Sequence, residues 1–138
     1  KNKINKSIKN RDFWMPFAAT VLEEHSHKYF KFNQKKSLYK YMTNCVRSNE
    51  LGKVKFGAAI HPQDKTCRPQ ILNKEDNKDY HNLINEFGKI SGVYGLLNTS
   101  FNVHGKPIVN NLKDAYEVLN TTELDGLIMP GALIIKKD

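Results

Sequence analysis

Apolar residues occur along this chain in short runs that end in polar or glycine-containing turns, a pattern typical of β-strands. The run that follows Pro16 is dense enough to predict a buried strand, and so is the run after Gly92. Asp64-Lys65 predicts the turn of a hairpin, and Pro130-Gly131 predicts the turn of another. The predicted strands cover residues 17–22, 54–60, 67–72, 93–97, 127–129 and 133–135.

Apolar residues at helical spacing separate these strands. Ile4 and Ile8, one helical turn apart, predict the end of an amphipathic helix within residues 1–10. Asn77 is a predicted N-cap, and Gly92 is the matching stop signal. Two further helices are therefore predicted, over residues 77–91 and 114–121.

This order of elements mixes hairpin returns with crossover helices. It predicts an α/β (α+β) domain around a twisted mixed sheet with flanking helices, and it excludes a helical bundle or a barrel. The length of 138 residues predicts one domain over residues 1–138. Residues 23–37 show no clean period and predict an exposed excursion. We interpret its aromatic residues as local packing rather than a platform for stacked bases: Tyr29, Phe30 and Phe32.

The composition describes a folded globular chain with a strong positive charge. Its hydrophobic content of 39% and charged content of 26% exclude a disordered chain, and the net charge of +8 indicates anionic partners. Scattered lysines on a surface would also serve solubility alone. Cys45 and Cys67 lack metal-ligand spacing and predict free thiols in a reducing cytoplasm. Neither a membrane span nor a signal peptide is visible, so we expect no membrane partner and a cytoplasmic location.

Polar side chains are concentrated where the strand over 93–97 ends. Open α/β sheets place ligand sites at such strand ends, and these side chains offer hydrogen bonds to an anion or a ribose without adding negative charge. The alternative is a polar turn that satisfies its own backbone. The candidate ligand-binding residues are Asn98, Thr99, Ser100 and Asn102.

Cationic residues near the N-terminus and in mid-chain offer the complementary charge. Lys9 and Arg11 lie two residues apart, and Arg68 precedes Pro69 in a predicted strand. If these side chains meet the polar strand tip, they form a phosphate pocket, because arginine supplies a planar fork and lysine a mobile point charge. Each of them alone is also explained as a solvated surface charge. His25 and His27 could pair around a metal ion, but they lack acidic or cysteine partners at readable spacing, so no metal site is expected.

Three segments, taken together and in this order, resemble the C-terminal region of the O-carbamoyltransferases, the enzymes that carbamoylate nodulation factors and antibiotics. The resemblance covers nearly the whole chain. Its motifs are Ile8-Lys9-x-Arg11-x-Phe13-Trp14-x-Pro16-Phe17-Ala18, His61-Pro62-x-Asp64-x-Thr66-x-Arg68-Pro69-Gln70, and Leu96-Leu97-Asn98-Thr99-Ser100-Phe101-Asn102-x-x-Gly105-x-Pro107.

The resemblance implies a YrdC/Sua5-like fold and a reaction on ATP, which would bind with Mg²⁺ as the substrate complex. Carbamoyl phosphate would supply carbamate, and carbamate would attack the α-phosphate of ATP to give carbamoyl-adenylate and pyrophosphate. A Kae1-like domain on the N-terminal side of the same chain would hold a metal, not bound here, and pass the carbamoyl group to an acceptor hydroxyl compound. Because the sequence begins at Lys1, we expect a fragment without that domain, inactive in isolation.

The resemblance also implies roles for individual residues. Lys9 and Arg68 would grip phosphate and carbamoyl phosphate, and Ser100 would hydrogen-bond the nucleotide phosphate. Arg11, Asn98, Thr99 and Asn102 would complete the nucleotide and carbamoyl phosphate site. The chain departs from the family at Met15, where arginine is common, and at Lys106, where glutamate is common. The first departure puts one phosphate ligand in doubt.

Two alternative functions stay open from the sequence. The positive charge, and the association of YrdC-like folds with RNA, allow a nucleic-acid-binding module, although the scarcity of arginine argues against nucleic acid as a partner. Met15 favours a structural C-terminal domain without chemistry of its own, whereas Lys9, Arg68 and Ser100 oppose it.

Overall fold

Strand β1, Ala18–Leu22, is the central strand of a three-stranded sheet. The computed structural model describes residues 4–9 and 16–137, apart from the side chains of Ser7 and Lys9. Strand β1 pairs parallel with β5, Gln70–Leu72, and antiparallel with β6, Gly95–Asn98. This mixed pairing confirms the predicted mixed sheet and the α+β class. The sheet belongs to one compact unit, residues 16–99, and the described residues of 4–9 and 100–137 form a second.

The two faces of this sheet have different coverings, which follow from the alternation of side chains along each strand. On one face Ala19, Val21 and Ile71 join the larger hydrophobic core. On the other face Leu22 and Leu72 pack with Ile84, and all three are at most 4% exposed. Burial of each such aliphatic side chain contributes about 1.5–3 kcal/mol.

A second sheet in the same unit runs in the order β2, β3, β4. These strands are Phe30–Lys31, Val46–Ser48 and Thr66–Cys67, paired antiparallel throughout. Phe30 and the neighbouring Tyr29 are 2% and 1% exposed, so the expected exposed excursion over residues 23–37 is wrong at its centre. Its aromatic rings pack locally as predicted, because Phe30 lies 6.2 Å from Phe32 between ring centroids.

The hairpin predicted from 54–60 and 67–72 is confirmed only at its tip, where Ile60 forms an antiparallel bridge with Cys67 across the turn at Asp64-Lys65, and it is wrong over the rest of both runs. Helix α1, Glu50–Lys55, covers part of the first run because Asn49 caps it through a bond from the Gly52 amide, and a 3₁₀ turn, Gly57–Ala59, follows. The second run is divided between β4 and β5, which join different sheets. Pro69 lies at the division, where its missing N–H interrupts a ladder.

Helix α2, Lys78–Ser91, agrees with its sequence signals. The Asn77 side chain accepts a hydrogen bond from the Tyr80 amide at 3.0 Å, and Gly92 ends the helix with φ +71°. Its inward residue Ile84 packs against the sheet beside β1. The helix therefore covers the part of that face around Leu22 and Leu72.

The second unit contains a helix and a hairpin. Helix α3, Leu112–Thr121, begins at the N-cap Asn111, and β7, Gly126–Met129, pairs antiparallel with β8, Ala132–Ile135. The predicted helix and closing hairpin are thereby confirmed. Residues Asn5–Lys9 form a π-helical turn, which agrees with the predicted helical character of the N-terminal segment.

Candidate functional site

Three polar side chains meet on the α2-facing side of the β1 sheet, beyond the part that the helix covers. Register brings them together: Thr20 of β1 lies opposite Gln70 of β5, and Asn98 of β6 lies opposite Ala18, two residues before Thr20. Side chains two residues apart in a strand share a face. We call Thr20, Gln70 and Asn98 the sheet triad.

The hydrogen bonds of the sheet triad fix the orientation of both amides. Thr20 Oγ1 donates to Gln70 Oε1 at 2.8 Å, and Asn98 Nδ2 donates to Thr20 Oγ1 and to Gln70 Oε1, each at 2.8 Å. Thr20 is fully buried, whereas Gln70 and Asn98 are half-buried. Within the described residues, Asn98 Oδ1 and Gln70 Nε2 have no partner, so an acceptor and a donor with fixed positions remain for a ligand.

Arg68 lies two residues before Gln70, between β4 and β5. Its side chain is exposed, while the following Pro69 is buried, which anchors the backbone at this point. Arg68 forms no ion pair with another described residue. An exposed guanidinium next to a rigid strand start is suited to an anionic ligand.

Ser100 and Asn102 belong to the other unit, in the loop that follows β6. Ser100 Oγ donates to Asn102 Oδ1 at 2.7 Å, and Asn102 Nδ2 donates to the Lys106 carbonyl at 2.7 Å. The Val109 amide closes the loop on the Phe101 carbonyl at 2.9 Å. The Asn102 side chain therefore orders this loop, and it fixes the orientation of the Ser100 hydroxyl.

The predicted site residues divide among these places. Asn98 joins the sheet triad and Thr99 follows it, Arg68 lies in the same unit, and Ser100 and Asn102 share their loop. The Lys9 side chain and the whole of Arg11 lie outside the described residues. The meeting of Lys9, Arg68 and Ser100 in one pocket therefore stays a prediction.

Sequence reasoning did not single out Thr20 and Gln70 as site residues. Thr20 is a lone hydroxyl inside an apolar strand, and Gln70 was only part of a longer motif. The available signal was the break in apolar character at Thr20, because a buried hydroxyl needs a partner. The partner itself depends on pairing between residues 50 and 78 positions apart.

The cysteine and histidine residues take no part in this site. Burial raises the pKa of Cys67 to about 12, which makes it an inert thiol, and Cys45 is exposed; both are free, as predicted. His25 stacks on Tyr94 with ring centroids 3.6 Å apart, and burial lowers its pKa. Among residues 4–9 and 16–137, no cluster of three His, Cys, Asp or Glu side chains could hold a metal ion.

Nor does that part of the chain contain a helix with the length and apolar character of a membrane span.

Comparison with known proteins identifies the family. The family model described as Carbamoyltransferase C-terminus matches residues 1–136. The chain belongs to the carbamoyltransferase C-terminus family. This agrees with the motifs that contain Lys9, Arg68 and Ser100, which lie in the matched range.

Curated relatives of this family member are much longer than the chain. Nodulation protein NolNO of Sinorhizobium fredii is 39% identical over 137 residues, which are 99% of this chain and 20% of that protein. Nodulation protein NolO of Bradyrhizobium diazoefficiens is 36% identical over 99% of this chain and 25% of its own length. An uncharacterized protein of Methanocaldococcus jannaschii is 38% identical over 99% of the chain and 26% of its own length. The chain thus spans about a fifth to a quarter of these relatives.

Proposed function

We propose that this chain is the carbamoyl-adenylate-forming part of an O-carbamoyltransferase. Its substrates would be ATP, which brings Mg²⁺ as a substrate complex, and carbamoyl phosphate. Membership of the carbamoyltransferase C-terminus family carries this proposal. The sheet triad supports it, because Asn98 and Gln70 present oriented polar groups in the same unit as the exposed cation Arg68.

The proposed reaction needs charge stabilisation rather than a protein nucleophile. Water first hydrolyses carbamoyl phosphate, breaking the bond between its carbamoyl group and its phosphoryl group to give carbamate and inorganic phosphate. A carbamate oxygen then attacks the α-phosphorus of ATP, the new O–P bond forms, and the bond from the α-phosphorus to the bridging oxygen breaks. The electron pair leaves with pyrophosphate. Because an anion attacks a polyanion, oriented cations and donors lower the barrier, and one such group contributes about 2.7–4 kcal/mol in known oxyanion sites.

Each residue has a role that follows from its chemistry. Arg68 and Lys9 would neutralise phosphate oxygens, and Ser100 would donate to the nucleotide phosphate. Arg11, Thr99 and Asn102 would support these contacts. Asn98 Oδ1, fixed by the two donations from Nδ2, would accept a hydrogen bond from a ribose hydroxyl or from the carbamoyl amide, and Gln70 Nε2 would donate to an adjacent oxygen.

The transfer step would belong to the rest of the longer protein. There, an acceptor hydroxyl oxygen attacks the carbamoyl carbon of the adenylate, and AMP leaves. A Kae1-like N-terminal domain would position the acceptor. The relatives support this division, since their sequences extend well beyond the part that matches the chain.

ATP–pyrophosphate exchange in the full-length protein tests the proposal. We expect exchange that depends on carbamoyl phosphate and falls about a hundredfold in Arg68→Ala, as when one stabilising group is removed from a transition state. Lys74→Ala, which removes an exposed lysine from the turn before α2, should retain exchange. Absence of exchange in the unaltered protein would favour a structural domain. Affinity for RNA that falls steeply with salt and ignores ATP would favour the nucleic-acid alternative.

A further inference from the structure

The outer face of the second sheet carries two cations directly opposite each other. Lys31 of β2 pairs with Arg47 of β3, and Arg47 also lies opposite Thr66 of β4. Paired residues in an antiparallel sheet project to the same side. Phe30, Val46, Ser48 and Cys67 occupy the opposite, buried side, so Lys31 and Arg47 share the exposed one.

This juxtaposition is unfavourable in the absence of a counter-charge. Like charges directly across a strand pair destabilise a sheet. Within the described part of the chain, neither Lys31 nor Arg47 forms an ion pair. The sheet therefore retains a positive pair that its own carboxylates do not neutralise.

The nearby carboxylates are engaged elsewhere. Lys31 and Arg47 line a hollow of about 230 Å³, together with Glu50, Lys53, Asp64 and Lys65. Glu50 Oε1 lies 2.6 Å from Lys53 Nζ, and this bond, with a smaller contribution from Lys31, lowers the pKa of Glu50. Asp64 Oδ1 accepts from the amide and hydroxyl of Thr66 at 2.9 and 2.8 Å. Two carboxylates and four cations leave a net charge of +2 around the hollow.

We propose that this hollow binds a phosphoryl group, held by the Arg47 guanidinium and the Lys31 ammonium. Arginine offers parallel donors to two phosphate oxygens, and lysine adds a point charge from the facing strand. Glu50 and Asp64 also line the hollow, and their repulsion of additional negative charge favours one compact phosphoryl anion over a continuous nucleic-acid backbone. The site shares no residue with the sheet triad, and its two phosphoryl-binding cations belong to the other sheet.

Lysine acetylation of the full-length protein, read by mass spectrometry residue by residue, tests this site. Inorganic phosphate should slow acetylation of Lys31 by at least about threefold relative to chloride of equal ionic strength, as a ligand that occupies the site would. Lys74 should be unaffected. If adenosine monophosphate also protects Lys31, the ligand of this site is the phosphoryl group of a larger ester. If only inorganic phosphate protects Lys31, the ligand is the free phosphate ion.

Arg47→Gln provides the decisive variant. It should abolish the phosphate protection of Lys31 and, without phosphate, should leave the thermal midpoint unchanged or raise it, because the repulsion is relieved. Carbamoyl-phosphate-dependent exchange should be unaffected, so this site and the proposed function are tested separately. Lys89→Gln, which removes a cation from α2, should retain protection. Lys31 acetylation that ignores phosphate, or that responds equally in Arg47→Gln, would overturn the proposal.

Discussion

Asn98 is the site residue whose side-chain orientation is best defined by its hydrogen bonds. Its amide nitrogen donates to both other members of the sheet triad, so the position of its oxygen is decided by a hydroxyl on the neighbouring strand. Thr20 is fully buried and binds no ligand directly in the proposed arrangement. In the proposed site it would act by positioning Asn98, and its loss should then affect activity more than stability.

Thr20→Val tests that role, because valine keeps the shape and removes the hydroxyl. We expect a loss of about 1 kcal/mol of stability from the missing hydrogen bonds. Exchange activity in the full-length protein should fall about tenfold, equivalent to about 1.4 kcal/mol in the barrier, because one hydrogen bond to Gln70 then orients the Asn98 amide instead of two.

Thr43→Val is the matched control, because the exposed Thr43 hydroxyl makes two long bonds, donating to the Leu38 carbonyl and accepting from Asn44 Nδ2, each at 3.4 Å. It should change neither the thermal midpoint nor exchange. If Thr20→Val lowers exchange no more than the amount of folded protein, the sheet triad is structural only.

The two cysteines should differ sharply in reactivity. With its pKa raised to about 12 by burial, Cys67 is almost entirely protonated at pH 8, whereas Cys45 is exposed. Because the thiolate is the nucleophile, iodoacetamide should alkylate Cys45 and spare Cys67 in the folded protein. Peptide mass spectrometry measures both, and both should react in guanidinium chloride. Equal rates before unfolding would contradict the burial of Cys67.

At the scale of elements, local signals account for the helices and the closing hairpin. Asn77 and Gly92 define α2 through contacts within one turn of its ends, so no distant residue is needed to predict them. The error over 54–60 has a different origin. The apolar residues there are shared by α1 and a 3₁₀ turn, and short apolar runs do not distinguish a buried strand from a helix.

Gly92→Ala and Gly57→Ala form a matched pair on these elements. A Cβ added at either glycine meets no atom within 4 Å, but only Gly92 has the left-handed φ of +71°. We therefore expect Gly92→Ala to lose about 1–2 kcal/mol, and Gly57→Ala to be neutral or slightly stabilising. Thermal unfolding of the full-length protein compares them. Equal thermal midpoints for the two variants would show that the left-handed φ at Gly92 imposes no stability cost on alanine at the end of α2.

For the molecule as a whole, the sequence predicted the α+β class, and the structure agrees with it. It did not predict the partners of Asn98. Strand order and register depend on contacts between distant residues, and Thr20 carries no local sign of meeting Gln70. The contributions of Lys9 and Arg11 stay predictions because they lie outside the described side chains.

The share of the longer relatives that the chain covers leads to a prediction about nucleotide binding. Because the chain corresponds to 20–26% of those proteins, we expect residues beyond it to complete the ATP site. Isothermal titration calorimetry should find ATP binding to the isolated chain at least about tenfold weaker than to the full-length protein, equivalent to about 1.4 kcal/mol. Equal affinities would place the whole nucleotide site within residues 1–138.

The position of β1 between strands from later in the chain has a consequence for folding. The Thr20 hydroxyl can form its two native hydrogen bonds only after Gln70, 50 residues downstream, and Asn98, 78 residues downstream, have been added to the chain. Closing such long loops costs entropy before any contact repays it, and this slows folding. During synthesis, the helices can form as they emerge, but the polar centre of the sheet cannot assemble until Asn98 has left the ribosome. A nascent chain that stops short of that residue would expose an incomplete sheet and would have no oriented amide to offer a nucleotide.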